Sequence, residues 1–328
     1  MKRRAFITLL GGAAAAWPLA ARAQQRKLWH VGFLSGRARP QSIEGDAHGA
    51  FLQGMRALGY EEGRDFVVEW RFAGGDFQRL PALAAELIAL KADVLVTSPA
   101  IATRAAQQAT STIPIVFAYV SDPVASGLVK SLAQPGGNVT GLAVQQTDVA
   151  PKQLQLLKQT LPRFARVAVL SNPSNAGSAV LVRSVHAAVE HTGLGLVPLT
   201  ATTLPEIRTA IADLKTQNAD ALMSLPDPFF ASQRRQIAEI AIEHRMPTMF
   251  GDPDYVEAGG LMSYGDRLAS FIRQTAYYVD QIFKGTKPAD LPVQQPIKFE
   301  LVINLKTAKA IGVEIPAILQ AVADQVIE

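Results

Sequence analysis

Asp227, Asp252 and Asp266 each follow a short apolar run in the second half of the chain. Carboxylates gathered in this way can move a proton or hold a cation. The first half offers Ser35, Ser98, Tyr119, Ser121 and Asp122, hydroxyl groups around one carboxylate, and Asn172, Asn175 and Tyr264 add further polar positions. Such a set suits recognition of a small polar molecule, with hydroxyls and helix N-termini for a carboxylate and an aspartate for an ammonium group. A structural role is open to each of them. Asp122 before Pro123 reads as a helix start, carboxylate at the N-cap and proline in the first turn, and Ser171-Asn172-Pro173 reads as a turn and cap.

Other chemistries find less support. His186 and His191 in HAAVEH stand five residues apart, which on a helix separates them by about 140° and precludes a shared zinc ion; they read as a surface pair. Ser35 in GFLSG lacks the G-x-S-x-G spacing of a nucleophile elbow, and no histidine announces itself as its partner. The glycines near Asn138 and Gly193 match neither a P-loop nor G-x-G-x-x-G, so no nucleotide cofactor is expected. Cysteine is absent, which excludes disulfides, thiolate metal sites and a lipidated cysteine anchor. No complete catalytic constellation appears, and the expectation is a protein that is not an enzyme and needs no cofactor or metal.

The elements that must position these residues alternate regularly. LWHVGFL, FVVEWRF, DVLVT and IPIVFAYV read as strands, with helices near 45–58, near 80–90, after DVLVT and after Pro123. RVAVLSN, LGLVPLT, ADALMSLPD and MPTMF repeat the plan, with helices near 179–191, 205–214 and 229–245. Strands alternating with helices predict an α/β fold of right-handed crossovers and parallel sheets. KADVLVTSPA echoes NADALMSLPD, IPIVFAYVSDP echoes MPTMFGDPD, and HVGFLSG echoes RVAVLSN, so two similar lobes are expected. Lobe I is placed at 28–140, with about 264–300 returning to it; lobe II is placed at 141–263, with about 301–328 at the hinge or on lobe II. Ligands of such sheets bind beyond the carboxyl ends of the strands, where all of the polar positions above fall.

The first 23 residues read as an export signal: a basic start with Arg3-Arg4, resembling a twin-arginine pattern, an apolar Gly/Ala/Leu middle, and Ala21-Arg22-Ala23 as a cleavage site after Ala23. The formal charge is +4, and this segment carries Lys2, Arg3, Arg4 and Arg22 with no acidic residue, so cleavage brings the charge to about zero (4 − 4). A nucleic-acid partner loses its basis with that charge. A periplasmic, monomeric protein without a lipid anchor is expected.

SDPVASGLVKSL, PGGNVTGL, SNPSN, PADLPVQQPIKFELVINLKTAKAIG and the closing ADQVIE together resemble the periplasmic substrate-binding proteins of an ABC importer family, over nearly the whole chain from Leu28 to Glu328. The resemblance implies the type I periplasmic-binding-protein fold: two Rossmann-like lobes joined by a three-crossing hinge, closing on a solute and delivering it to an ABC permease. Relatives that bind aromatic amino acids hold the carboxylate on hydroxyl and main-chain N–H groups and the amine on an aspartate. On that pattern Asp122 matches the D-P-V position, Asn172 and Asn175 the N-P turn, and Asp227 the acidic position of lobe II. Many relatives have Thr-Pro-Ala where this chain has Thr97-Ser98-Pro99-Ala100, which leaves two candidate hydroxyls. Pro228 stands where amino-acid-binding relatives often have Asn, so the implied solute is a small polar one, an amino acid or an aromatic or planar compound. A solute sensor for a membrane receptor and an exported enzyme using the cleft carboxylates are the alternatives; a two-lobed repressor would need a DNA-reading helix pair where the export signal stands.

Overall fold

The computed structural model describes residues 27–144, 149–175, 177–295 and 299–328. The export-signal reading, including cleavage after Ala23, lies outside the described residues. Near-continuous apolar runs such as VLVTS and IVFAYV form strands buried on both faces, the pattern of a parallel sheet covered by helices. β1 (Trp29–Ser35), α1 (Gly49–Ala57), β2 (Phe66–Phe72), α2 (Leu80–Ala89), β3 (Val94–Ser98), α3 (Ala100–Ala109), β4 (Ile115–Val120) and β5 (Val139–Ala143) follow one another, and the strands order as β2-β1-β3-β4-β5, all parallel. One apolar cluster covers each face.

The second sheet is built from α4 (Ala150–Thr160), β6 (Arg166–Ser171), α5 (Ser178–Glu190), β7 (Gly195–Thr200), α6 (Leu204–Ala212), β8 (Ala221–Ser224), α7 (Pro228–Ser232), α8 (Arg234–Glu243), β9 (Thr248–Phe250), α9 (Pro253–Glu257) and β10 (Met262–Gly265). After α10 (Leu268–Phe283), the chain adds β11 (Glu300–Asn304), α11 (Leu305–Ile311), α12 (Ala317–Val322) and β12 (Gln325–Ile327). The strand order is β12-β11-β10-β9-β8-β6-β7, with β10 and β11 antiparallel and the other pairs parallel. The expected α/β fold with two parallel-sheet lobes is what forms.

The expected boundary between 140 and 141 falls inside β5, which pairs with β4 along Val139–Ala143; the first sheet therefore continues through Ala143. Tyr264 and Gly265 likewise pair with β11 in the second sheet, and it is α10 that returns to the first. Its Leu268, Phe271, Ile272, Thr275, Ala276 and Val279 recur at helical spacing and are buried. Burying side chains the size of Phe271 and Ile272 is worth about 1.5–3 kcal/mol each, which holds α10 on a lobe to which its sequence neighbours do not belong. Gly54 of α1 lets the two helices approach: a Cβ there would lie 2.5 Å from the Arg273 carbonyl oxygen and 2.7 Å from Ala276 Cβ.

Two local expectations fail. The single helix near 229–245 is two helices, α7 and α8, meeting at Gln233. The helix after Pro123 does not form: Asp122 accepts from Val124 N–H at 3.2 Å and Ala125 N–H at 2.8 Å, and Ser126 N–H reaches the Asp122 carbonyl at 3.1 Å. Gly127 then takes a left-handed φ of 68°, and Leu128 and Val129 both donate to the Pro123 carbonyl. One turn is capped and none follows.

Candidate functional site

The C-terminal ends of strands from both sheets enclose a cavity of about 490 Å³. Ser98 from β3, Tyr119, Ser121 and Asp122 after β4, Asn175 after β6, Asp227 after β8 and Asp252 after β9 all line it. The structure thus brings together seven of the ten residues singled out as ligand-binding. Three contacts join the sheets beside it: Ala38 N–H to Ser232 Oγ at 3.2 Å, Tyr119 Oη to the Asp266 carbonyl at 3.4 Å, and Arg37 Nη2 facing Asp252 Oδ2 at 4.0 Å.

Each carboxylate has an assigned place. Asp227 caps α7: its Oδ1 accepts from Phe229 N–H at 2.9 Å and Phe230 N–H at 3.1 Å. Asn172 Nδ2 stands 3.2 Å from both of its oxygens, and Asn175 Nδ2 donates to Oδ2 at 3.0 Å. Burial raises the Asp227 pKa, and these four donors work against the rise. Asp252 caps α9 through Asp254 N–H at 3.0 Å. Burial and the neighbouring Asp254 charge push Asp252 up to about 7, against the opposing pull of Arg37. Asp266 is also pushed up to about 7, by burial and by the Glu300 charge, and its Oδ2 is buried without a hydrogen-bond partner.

Tyr119 reaches the cavity through an irregular backbone. The β4–β5 register shifts between Ala118 and Val120, and Tyr119 sits at φ 61°, a left-handed conformation unusual for an aromatic residue. Its ring stands edge-on to Phe271 of α10, with centroids 5.3 Å apart. Of the two candidate hydroxyls, Ser98 faces the cavity, whereas Thr97 is wholly buried and meets Thr103 Oγ1 at 2.9 Å.

Three of the expected site residues fall outside the lining. Asn172 acts behind it, holding Asp227. Tyr264 belongs to a separate groove near Leu301 and Leu319, where its ring packs on Phe299. Ser35 is 1% exposed, because its hydroxyl is engaged on the far side of β1 by His48 Nε2 at 3.0 Å. His48 Nδ1 in turn meets the Asp46 carboxylate.

Ser35 therefore does have a histidine partner, contrary to expectation. Burial favours the neutral imidazole, and Asp46, despite its own burial, is held down at about 2 by His48. The consistent assignment has Nδ1–H donating to Asp46, the Ser35 hydroxyl donating to Nε2, and Ser35 Oγ accepting from Arg37 N–H at 3.2 Å. Phe33, Trp70 and Phe72 all stand edge-on to the imidazole, and His48 is 1% exposed. A serine that faces away from the cavity offers no nucleophile; its role is to fix the loop that carries Arg37.

Among the residues that sequence reasoning missed are Arg37, Tyr255 and Ser224, all of which line the cavity. Arg37 in GRARP looks like a solvated loop cation, yet it is only 9% exposed. Apolar side chains, among them Ile101, Val120, Leu181, Leu225 and Leu268, make up most of the remaining wall. Among the described residues no cluster of potential metal ligands occurs, and no helix is long and apolar enough to cross a membrane.

Residues 34–327 match the family model described as ABC transporter substrate binding protein. A tyrosine-binding protein of Clostridioides difficile is 27% identical over 264 residues, covering 80% of this chain and 76% of the relative. The structure of a conserved domain protein from Vibrio cholerae is 31% identical with a TM-score of 0.84, covering 92% of this chain and 100% of that one. An ABC domain from Streptococcus pneumoniae, solved in complex with L-Trp, is 26% identical with a TM-score of 0.83 over the same shares of the two chains. The architecture is that of the type I periplasmic binding proteins, and the relatives are solute-binding proteins rather than enzymes. The chain belongs to the ABC transporter substrate-binding protein family.

Proposed function

We propose that this protein captures a small organic solute, an amino acid or an aromatic or planar compound, in the periplasm and hands it to an ABC permease. The observation that carries the reading is the cavity of about 490 Å³ walled by strand ends of both sheets. A solute there touches both lobes only when they are together, so its binding shifts the population toward the closed form. Lobe I, on this reading, is the first sheet with α10, and lobe II is the second sheet. The chain passes between the two sheets after Ala143, after Gly265 and before Glu300, and these passages serve as the hinge. The tyrosine and L-Trp named for two relatives support a solute of that size with an apolar body. Export by the amino-terminal signal, removal after Ala23 and a monomeric mature protein complete the proposal.

Thermal denaturation with a panel of amino acids, aromatic acids and small amides tests the reading. A solute at a hundredfold excess over its Kd stabilises by about 2.7 kcal/mol. A panel in which nothing raises Tm, together with turnover of any member, would falsify it.

A further inference from the structure

We infer that the cavity binds the carboxylate of its solute on Arg37, Tyr255 and Ser224, and that the solute class is an organic acid with an apolar body whose recognition does not require an amino group. The inference rests on the capture reading and narrows it.

The donors of the cavity are in excess. Arg37 is nine-tenths buried and lines the cavity, and among the described residues its side chain makes no hydrogen bond; its one charged neighbour within 4 Å is Asp252 Oδ2, at 4.0 Å. A guanidinium carries five donors and stays charged at any ordinary pH, and holding it out of water with no closer partner than this long ion pair is costly. Tyr255 and Ser224 also line the cavity, and Tyr255 Oη and Ser224 Oγ are buried without a hydrogen-bond partner. Burial raises the Tyr255 pKa, so the phenol remains a donor, and it lies close enough to feel the Arg37 charge.

The carboxylates that line the cavity are already largely engaged. Asp227 gives Oδ1 to Asn172 and two backbone N–H groups and Oδ2 to Asn172 and Asn175, which leaves little for an ammonium. Asp252 uses Oδ1 on its cap and turns Oδ2 toward Arg37. Asp122 is exposed and uses Oδ1 on Val124 and Ala125. The second cavity arginine, Arg104, is exposed and donates to the Ser126 carbonyl. A deep site with a charged fork and two hydroxyls in need of acceptors complements a planar carboxylate. The apolar wall then receives the rest of the molecule.

The test is isothermal titration and thermal shift on purified wild type with aromatic and aliphatic monocarboxylates, their primary amides, and the corresponding α-amino acids. We expect the acids to bind, the amides not to, and each acid to bind comparably to its amino acid. Arg37→Gln should weaken acid binding on the order of 10- to 100-fold, with partial rescue in Arg37→Lys. Tyr255→Phe and Ser224→Ala should each weaken it several-fold, and they decide the matter if circular dichroism shows Arg37→Gln unfolded. Amides binding as well as acids, amino acids binding where their des-amino acids do not, or unchanged Kd in the three positions overturns the inference and leaves capture standing. Absence of any stabilising solute removes capture, and the inference with it.

Discussion

Asn172 Nδ2 stands 3.2 Å from each carboxylate oxygen of Asp227, so an amide after β6 spans the carboxylate that starts α7. Two neighbouring strand ends of the second sheet are tied together by that bridge. It also explains how a buried aspartate beside an apolar cavity is held in place without a cation.

Asp227→Ala removes an N-cap, worth about 0.5–2 kcal/mol, and strands the amides of Asn172 and Asn175, a further loss of about 1–3 kcal/mol. A total of about 1.5–5 kcal/mol is expected in urea denaturation. Asp122→Ala, at an exposed cap followed by no helix, should cost less than about 1 kcal/mol. Equal losses at the two positions would contradict the assigned roles.

The buried carboxylates set a pH dependence. Asp252 and Asp266 have folded-state pKa values raised to about 7 from an ordinary 3.8. The folded protein therefore holds their protons more tightly than the unfolded chain does. The resulting stabilisation is complete below about pH 4 and is lost as pH rises through about 7. Asp266→Asn keeps the shape and abolishes the titration, so the Tm difference, variant minus wild type, should grow from pH 5 to pH 8. A flat difference over that range would show that Asp266 titrates normally.

The polar strand ends and the two α/β lobes were legible in the sequence because apolar runs and the residues that follow them are local signals. Partnership was not. Ser35 found its histidine thirteen residues on, in the loop before α1, where no periodicity marks it. Arg37 has the same local appearance as Arg39 in GRARP, and only tertiary burial separates the two: Arg37 is buried, Arg39 exposed. At Asp122 the cap was legible, but its side chain could not reveal that Gly127 would end the turn.

Ser35→Ala deprives His48 Nε2 of its donor and Arg37 N–H of its acceptor. Stability should fall by about 1–3 kcal/mol, read from denaturant midpoints. Solute affinity should fall too, by less than in Arg37→Gln, because the arginine remains while its loop loosens. Unchanged stability would mean that the hydroxyl does not connect the two.

Gly54→Val places methyl groups where α10 runs, against the Arg273 carbonyl and Ala276. Overpacking of this kind costs about 1–3 kcal/mol, and differential scanning calorimetry should show a lowered Tm. Gly59→Ala provides the comparison: nothing lies within 4 Å of a Cβ there, and its φ of 87° leaves backbone strain as the only cost. A Gly54→Val midpoint no lower than that of Gly59→Ala would show that the helices have room to separate.

The contact between α1 and α10 also orders events in time. Phe51 and Met55 near the start of the chain belong to the same apolar cluster as Phe271 and Ile272 near its end. As the ribosome releases the chain from the amino terminus, the first sheet emerges early but leaves one face open to water. It stays so until the whole second sheet up to β10 and then α10 have been synthesised. The amino-terminal lobe, although first to be made, cannot be the first to finish folding.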